Sequence, residues 1–185
     1  MLTTACLAVA VGMLCGGPSV YRSWFDALRR VGVHAHLSNA SIYGVLARCL
    51  TRSSMPVTPL VVVPAVVGPL WIVIAACTAA WVVRALRRRV SLDREWSALL
   101  IGSLFVSPLG WTYYLSMATG PVVASLTTAR SSMRRLAAAG MVCLCVPLTL
   151  MLSNVHVYMN TWQTATVGSI FAVGTCLLLL AVSSE

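Results

Sequence analysis

The sequence predicts an all-α, polytopic integral membrane protein, folded as a helical bundle of about six spans. Of its 185 residues, 59% are hydrophobic and only 9% are charged, whereas a soluble domain carries roughly 25% charged residues. Long uncharged runs alternate with short arginine clusters along the whole chain. Each run has room for at least one span of about 20 apolar residues, so the length of the chain is best counted in spans.

The uncharged runs give the positions of the spans. The first run lacks the basic residues that begin a signal peptide, so it is interpreted as a span. Pro64 and Pro69 are expected to kink or interrupt the first half of the second span. The expected spans lie at about 2–20, 57–83, 96–109, 111–128, 136–152 and 164–182, within a single membrane domain of residues 1–185.

The run 96–129 predicts a short helical hairpin. As one helix its 34 residues would extend about 51 Å, against about 30 Å of hydrocarbon. The sequence Ser107-Pro-Leu-Gly-Trp111 in its middle is a turn signal. Because arginine clusters flank both ends, we expect both ends inside and the tip outside.

This topology places both chain termini inside and the polar segment 21–56 outside. Eight arginines then lie inside and five outside, although loops on the outer side are usually poor in arginine. Two explanations of the outer arginines remain open. They bind an anionic ligand, or they lie on short amphipathic helices and face lipid headgroups. Nucleic acid is not the expected partner for the net charge of +9, because the arginines sit in short clusters between apolar runs.

Signatures of soluble enzymes are absent, since the chain has no P-loop, no GxGxxG and no HExxH. The cysteines form no CxxC pair, and His34 and His36 have no third ligand near them in sequence. We therefore expect no metal and no cofactor. Asp93 and Glu95 are expected to pair with the arginine loop that contains them.

Two polar segments on the predicted outer side, 34–48 and 107–114, are rich in hydrogen-bonding and aromatic groups. Tyrosine and tryptophan at this depth are typical of a membrane-interface belt. The same groups also suit a sugar phosphate, because aromatic faces pack on sugar rings and arginine binds phosphate bidentately. If the segments form one site, Asn39 and Arg48 face Trp111 and Tyr114 across a small polar pocket. The alternative is two separate interfacial loops.

These segments resemble glycosyltransferase family 87, which includes polyprenol-phosphate-mannose-dependent mannosyltransferases. The family element N-x-S-x-x-G-x-x-x-R is matched at Asn39, Ser41, Gly44 and Arg48. The element S-P-x-x-W-x-x-Y/H is matched at Ser107, Pro108, Trp111 and Tyr114. The resemblance covers roughly residues 20–130, and the sequence resembles the C-terminal portion of family members.

The resemblance implies a GT-C fold and transfer of a hexose, in the family mannose, from a polyprenyl-phosphate donor to a lipid or glycan acceptor. It implies that Arg48, with Arg52 and with Arg29 and Arg30 behind it, holds the phosphate. The residues expected to line the sugar site are His36, Asn39, Ser41, Trp111, Tyr113 and Tyr114. The family's catalytic base is an aspartate on a first outer loop, for which this chain has no counterpart. The catalytic residue therefore stays unassigned, and the chain alone is expected to transfer no sugar without a missing N-terminal half.

The expected location is the bacterial plasma membrane, as a multi-pass protein in contact with the lipid bilayer. The alternative function is a non-enzymatic membrane protein, either a small transporter subunit or an assembly partner. A transporter is expected to show paired broken helices in two similar halves, and the sequence shows no such repeat. His156 is the only candidate for an ionisable group inside the membrane.

Overall fold

The computed structural model describes residues 10–19, 22–23, 26, 35–54, 57–88, 91–127, 129–146 and 159–183. Contacts divide the chain into two compact units, Met1–Val33 and His34–Glu185. In the first unit, residues 10–19 are helical and belong to the first expected span. The second unit contains both polar segments.

The described part of the second unit is helical and contains no strand, which confirms the all-α prediction. Its helices, in chain order, are α1 (Ile42–Leu50), α2 (Pro64–Leu86), α3 (Leu92–Val106), a 3-10 helix (Thr112–Ala118) that continues into α4 (Thr119–Thr127), α5 (Ser131–Leu144), α6 (Thr161–Ala165), a second 3-10 helix (Val167–Ser169) and α7 (Ile170–Ser183).

Two helical stretches are long and apolar enough to cross a membrane, α2 and the stretch Thr161–Ser183, with 23 residues each. At 1.5 Å per residue each extends about 35 Å, more than the hydrocarbon thickness of about 30 Å. The other helices of the described part are shorter, so six spans are not observed. Only 11% of the most apolar window of α2 is buried. Such an exposed apolar surface is what a helix facing lipid presents, rather than the core helix of a soluble protein.

Local capping sets where α3 begins, four residues before the expected start at 96. Ser91 is the N-cap, and its hydroxyl accepts a hydrogen bond from Arg94 N. Asp93 and Glu95 lie in the first turn, where their negative charge is favourable beside the helix N-terminus. They are therefore part of a helix rather than of an arginine loop.

The second expected span, 57–83, begins later than predicted because residues 60–63 pair with the end of α1 instead of entering α2. Val63 N donates to Leu50 O over 3.0 Å. Pro64 then starts α2, where its fixed φ and missing N–H are tolerated. Pro69 lies inside α2 without ending it, so of the two prolines expected to kink or interrupt the first half of the span, Pro64 is where the helix begins.

Helices α5 and α7 cross closely at a pair of glycines. A Cβ on Gly140 would lie 2.9 Å from Gly174 O, and a Cβ on Gly174 would lie 2.8 Å from Gly140 O. Small residues at a crossing let two backbones approach, which is a common way to pack helices in membranes. Ile101 of α3 and Ala137 of α5 are fully buried in the adjoining core.

Tryptophan hydrogen bonds mark the two ends of the bundle. Trp81 Nε1 donates to Ser183 Oγ over 2.7 Å, so the C-terminal ends of α2 and α7 meet near the first turn of α3. Trp71 Nε1 donates to Val106 O over 2.8 Å, which joins the first half of α2 to the end of α3. The two polar segments lie at this second end.

Candidate functional site

The segments 35–48 and 107–114 lie against each other, and we call this region the motif junction. Two backbone hydrogen bonds join them, from Ala40 N to Gly110 O over 2.7 Å and from Thr112 N to Ser38 O over 3.0 Å. The structure therefore brings the two sequence motifs together, although nearly 60 residues separate them.

Gly110 is required by this close approach. A Cβ there would collide with the backbone oxygen of Leu104 and would lie 2.9 Å from Ser41 Cβ. A side chain would push the second segment away from the first, so the glycine of the Ser-Pro-Leu-Gly sequence has a packing role.

The Asn39 side chain links the segments a third time. It is fully buried; its Nδ2 donates to Pro108 O over 2.9 Å, and its Oδ1 accepts from Ser41 N over 3.1 Å. The second bond is the local turn that asparagine side chains commonly form with the backbone two residues ahead. Both atoms of the amide thus bond to backbone groups.

Ser41 begins α1. Its buried hydroxyl accepts a hydrogen bond from Gly44 N over 3.1 Å, which satisfies one of the free donors at the helix N-terminus. Gly44 is needed because a Cβ there would lie 2.7 Å from Asn39 Cγ. The first three residues of the motif thus form one packed unit.

Arg48, one turn after Gly44, points back to the same loop. Its Nη1 donates to His36 O over 2.7 Å and to Asn39 O over 3.2 Å, and the residue is 0% exposed. Its Nε and Nη2 are buried too, and no group in the described part of the chain pairs with them. Burial lowers the pKa of Arg48 to about 10, so the guanidinium is still charged at neutral pH.

His36 is half-buried beside Arg48. Its Nδ1 accepts from Ser38 N over 3.2 Å and lies 2.6 Å from Ser38 Oγ. Because Nδ1 accepts the backbone N–H, the proton of the neutral ring is on Nε2. Burial, and then the charge of Arg48, lower the pKa of His36 below its usual value, so the ring is neutral at pH 7.

Aromatic rings form the accessible side of the motif junction. The His36 and Trp111 centroids are 5.6 Å apart. Trp111 and Tyr113 stack with 10° between their planes and 6.2 Å between centroids, and Tyr114 packs edge-on to Tyr113 at 4.5 Å. Tyr113 is 60% exposed and Tyr114 is 40% exposed. Part of each tyrosine side chain is therefore open to the surroundings.

Of the remaining residues expected at the site, the structure describes Arg52. Arg52 is exposed just beyond the end of α1 and takes no part in the bonds of the motif junction. Arg29, Arg30 and His34 lie outside the described residues. The sequence led us to expect that Asn39 and Arg48 face an open pocket. In the structure both are fully buried in the contact between the two segments.

The chemistry of the described residues limits what the motif junction can do. No group of three His, Cys, Asp or Glu that could hold a metal occurs among them. Asp93 and Glu95, the described acids of this unit, lie in the first turn of α3, whereas the junction follows its last turn. A general base must lie within about 3 Å of the proton that it removes. Neither acid is placed to serve there.

Sequence reasoning missed the contributions of Ser38 and Gly110. Ser38 fixes the His36 ring and also accepts the backbone bond from Thr112. For Ser38, the signal available in the sequence was a short polar residue two positions after a histidine, which can bond to the histidine ring. It is weak, because serine is common in any loop.

Comparison with known protein families identifies a matching family model. The family model of glycosyltransferase family 87 matches residues 1–112, which include Asn39, Ser41, Arg48 and Trp111. No curated protein and no solved structure matches the chain. The matched region is more than half of the 185 residues, and the chain therefore belongs to glycosyltransferase family 87.

Proposed function

We propose that the chain acts in hexosyl transfer, and that its motif junction binds a polyprenyl-phosphate sugar, with mannose as the hexose and a lipid or glycan as the acceptor. Membership of a glycosyltransferase family supports the reaction class. The observation that carries the choice of donor is the buried guanidinium of Arg48, which keeps two donors unpaired beside exposed aromatic rings.

The unpaired donors of Arg48 have the geometry of an anion site. Nε and Nη2 form one edge of the guanidinium, and that edge binds two oxygens of a phosphate or carboxylate in parallel. Nη1 is held by two backbone carbonyls, so the orientation of the edge is fixed in advance. A buried donor without a partner costs about 1–3 kcal/mol. Two phosphate oxygens would remove that penalty on both atoms, after a local opening of the junction.

The exposed rings would hold the sugar. The face of Tyr113 and the edge of Trp111 offer apolar surface to a hexose ring, and the Nε2–H of His36 offers a donor to its hydroxyls. Asn39 and Ser41 use their side chains on the backbone. We therefore assign to them the positioning of the site rather than contact with sugar.

An apolar groove next to the junction supports a lipid-linked donor. Its volume is about 180 Å³, and it is lined by the first 3-10 helix, α4, α5 and α7. It begins at Thr112, the neighbour of Trp111, and continues past Val122 to Leu178. A chain attached to a phosphate at Arg48 could lie in this groove and leave the sugar at the rings.

The architecture that we propose is a six-span bundle of GT-C type in the bacterial plasma membrane. The C-terminal ends of α2 and α7 share one end of the unit, through Trp81 and Ser183. This agrees with a topology in which the arginine-rich segment and the C-terminus lie inside. The motif junction, near the start of α2, would then face outward. The catalytic base remains unassigned.

Donor binding tests the proposal without requiring turnover. The full chain in lipid nanodiscs would be titrated with polyprenyl phosphomannose, and photo-crosslinking with a diazirine-bearing analogue would report occupancy. Arg48→Lys keeps the charge but loses the side-on pair of donors. We expect its affinity to fall at least tenfold, the ratio that about 1.4 kcal/mol produces.

Arg52→Lys is the matched control, because Arg52 follows Arg48 by four positions, just beyond the end of α1, and is exposed. It should bind within twofold of the wild type. Since Arg48→Lys could disturb folding, Tyr113→Ala provides a second test at an exposed position. It should weaken binding of the sugar-bearing lipid more than binding of polyprenyl phosphate. Equal binding by all variants would refute the assigned site.

A further inference from the structure

A second cavity lies at the opposite end of the unit from the motif junction. It has a volume of about 280 Å³, and its lining residues are Trp81, Arg84, Ala85, Arg88 and Ser183. These residues come from the C-terminal end of α2, the turn that follows it and the C-terminal end of α7. Helix α2 is one candidate span, and α7 is the last part of the other. Nothing in the proposed transfer reaction uses this cavity.

The cavity is cationic. Arg84 lies in the last turn of α2 and Arg88 lies two residues beyond the end of that helix. Both line the cavity, so two guanidinium groups four positions apart in the sequence border one space. Both are exposed, and no carboxylate of the described residues is among the groups that line the cavity with them. Two arginines at this spacing can place several donors on one phosphate group.

Trp81 forms a fixed wall of the cavity. Its Nε1 donates to Ser183 Oγ over 2.7 Å, and the Ser183 hydroxyl in turn donates to Leu179 O. These bonds hold the indole ring in place while 47% of the residue stays exposed. A tryptophan with one apolar face and one bonded edge is typical of the boundary between membrane and water.

The surroundings of the cavity are apolar on one side and charged on the other. Val83, an apolar residue in the last turn of α2, is exposed, and Arg84 follows it directly in the chain. A free anion would gain nothing from the apolar side, whereas an amphiphile would contact both. We propose that this cavity is a binding site for the phosphate headgroup of an anionic membrane lipid. Arg84 and Arg88 contact the phosphate, and Trp81 packs against the start of the acyl chains.

The test uses the full chain and lipids of defined headgroup. Binding of phosphatidylglycerol and of phosphatidylcholine would be measured by native mass spectrometry and by the thermal midpoint in mixed micelles. The wild type should prefer phosphatidylglycerol at least tenfold. Arg84→Gln with Arg88→Gln should abolish that preference, and each single change should reduce it about threefold to fivefold.

Arg87→Gln is the matched control, because Arg87 is exposed at the same helix end but does not line the cavity. It should leave the preference within twofold of the wild type. If Arg87→Gln reduces the preference as much as Arg84→Gln does, the attraction is diffuse and there is no site. If inorganic phosphate at the same concentration shifts the midpoint equally, the ligand is a free anion and the lipid assignment fails.

The acidic residue Glu185 follows Ser183 by two positions in the sequence, so the test includes a variant without its charge. In Glu185→Gln the lipid preference should be unchanged or greater. If the wild type shows no preference and Glu185→Gln creates one, the arginines are neutralised by the chain itself, and the proposal is wrong.

Discussion

Replacing Gly44 by alanine tests whether the first motif is a packed unit. The added Cβ would lie 2.7 Å from Asn39 Cγ and 2.9 Å from its Nδ2, closer than Cβ atoms approach other atoms in folded proteins. Asn39 is fully buried and bonded at both ends of its amide, so it has no room to move away. The substitution should therefore break the bonds that join the two segments.

The expected loss follows from three terms. Overpacking costs about 1–3 kcal/mol, and the two Asn39 side-chain bonds contribute about 1 kcal/mol each. Alanine recovers about 1 kcal/mol of helix propensity relative to glycine. The net destabilisation is about 2–4 kcal/mol, which lowers the thermal midpoint by roughly 4–16 °C.

Thermal unfolding of the purified chain in one detergent measures this loss. Gly68→Ala is the matched control, because Gly68 lies in α2 with nothing within 4 Å of its added Cβ. It should leave the midpoint unchanged or slightly raised. A midpoint for Gly44→Ala at or above that of the wild type would show that the motif is not packed in this way.

A double-mutant cycle identifies the neighbour responsible. In an Asn39→Ala background the amide is gone, and only its Cβ remains, 3.0 Å from the new Cβ of residue 44. The loss caused by Gly44→Ala should then fall to less than half, because the two changes share one contact. Simple additivity would mean that Gly44 acts through something other than Asn39.

Three further changes test other parts of the structure. Gly140→Ala should destabilise the unit by about 1–3 kcal/mol in the same unfolding assay, because its Cβ meets the backbone of Gly174. Acidification from pH 7 to pH 5 should lower the midpoint of the wild type more than that of His36→Asn. The folded-state pKa of His36 is lowered by burial and by Arg48, so the stability from the neutral ring is lost as the pH falls below about 6.5. Trp71→Phe should cost about 1 kcal/mol by removing its bond to the end of α3, and an unchanged midpoint would contradict that bond.

The positions of the helices were predictable wherever hydropathy and turn residues act together. The break at 107–111 and the two helices on either side follow from Pro108, Gly110 and the length of the run. Helix starts were less predictable, because they depend on caps. Ser91 begins α3 inside a segment that composition alone marks as a charged loop.

The contact between the two polar segments was predictable from topology, but the burial of its residues was not. An arginine in a polar segment is normally expected at the surface. Arg48 is buried because the loop before α1 turns two carbonyls toward it. That turn depends on Asn39 and Ser38, whose hydrogen bonds have no periodic signature in sequence.

The contacts of the first motif explain the spacing of its residues. They also distinguish the side chains that stabilise the loop from the groups that remain for a ligand. Asparagine bonds to the backbone two residues ahead, and serine caps the helix by accepting from the residue three ahead. Gly44 and Arg48 are one helical turn apart, so both face the Asn39 loop. In these contacts each polar atom of the Asn39 and Ser41 side chains has a backbone partner. The groups left for a ligand are one edge of Arg48, the Nε2 of His36 and the exposed rings. Under the proposed function, recognition of a sugar phosphate would rest on these groups. Arg48→Lys and Tyr113→Ala therefore test the proposed function, whereas Gly44→Ala tests the scaffold.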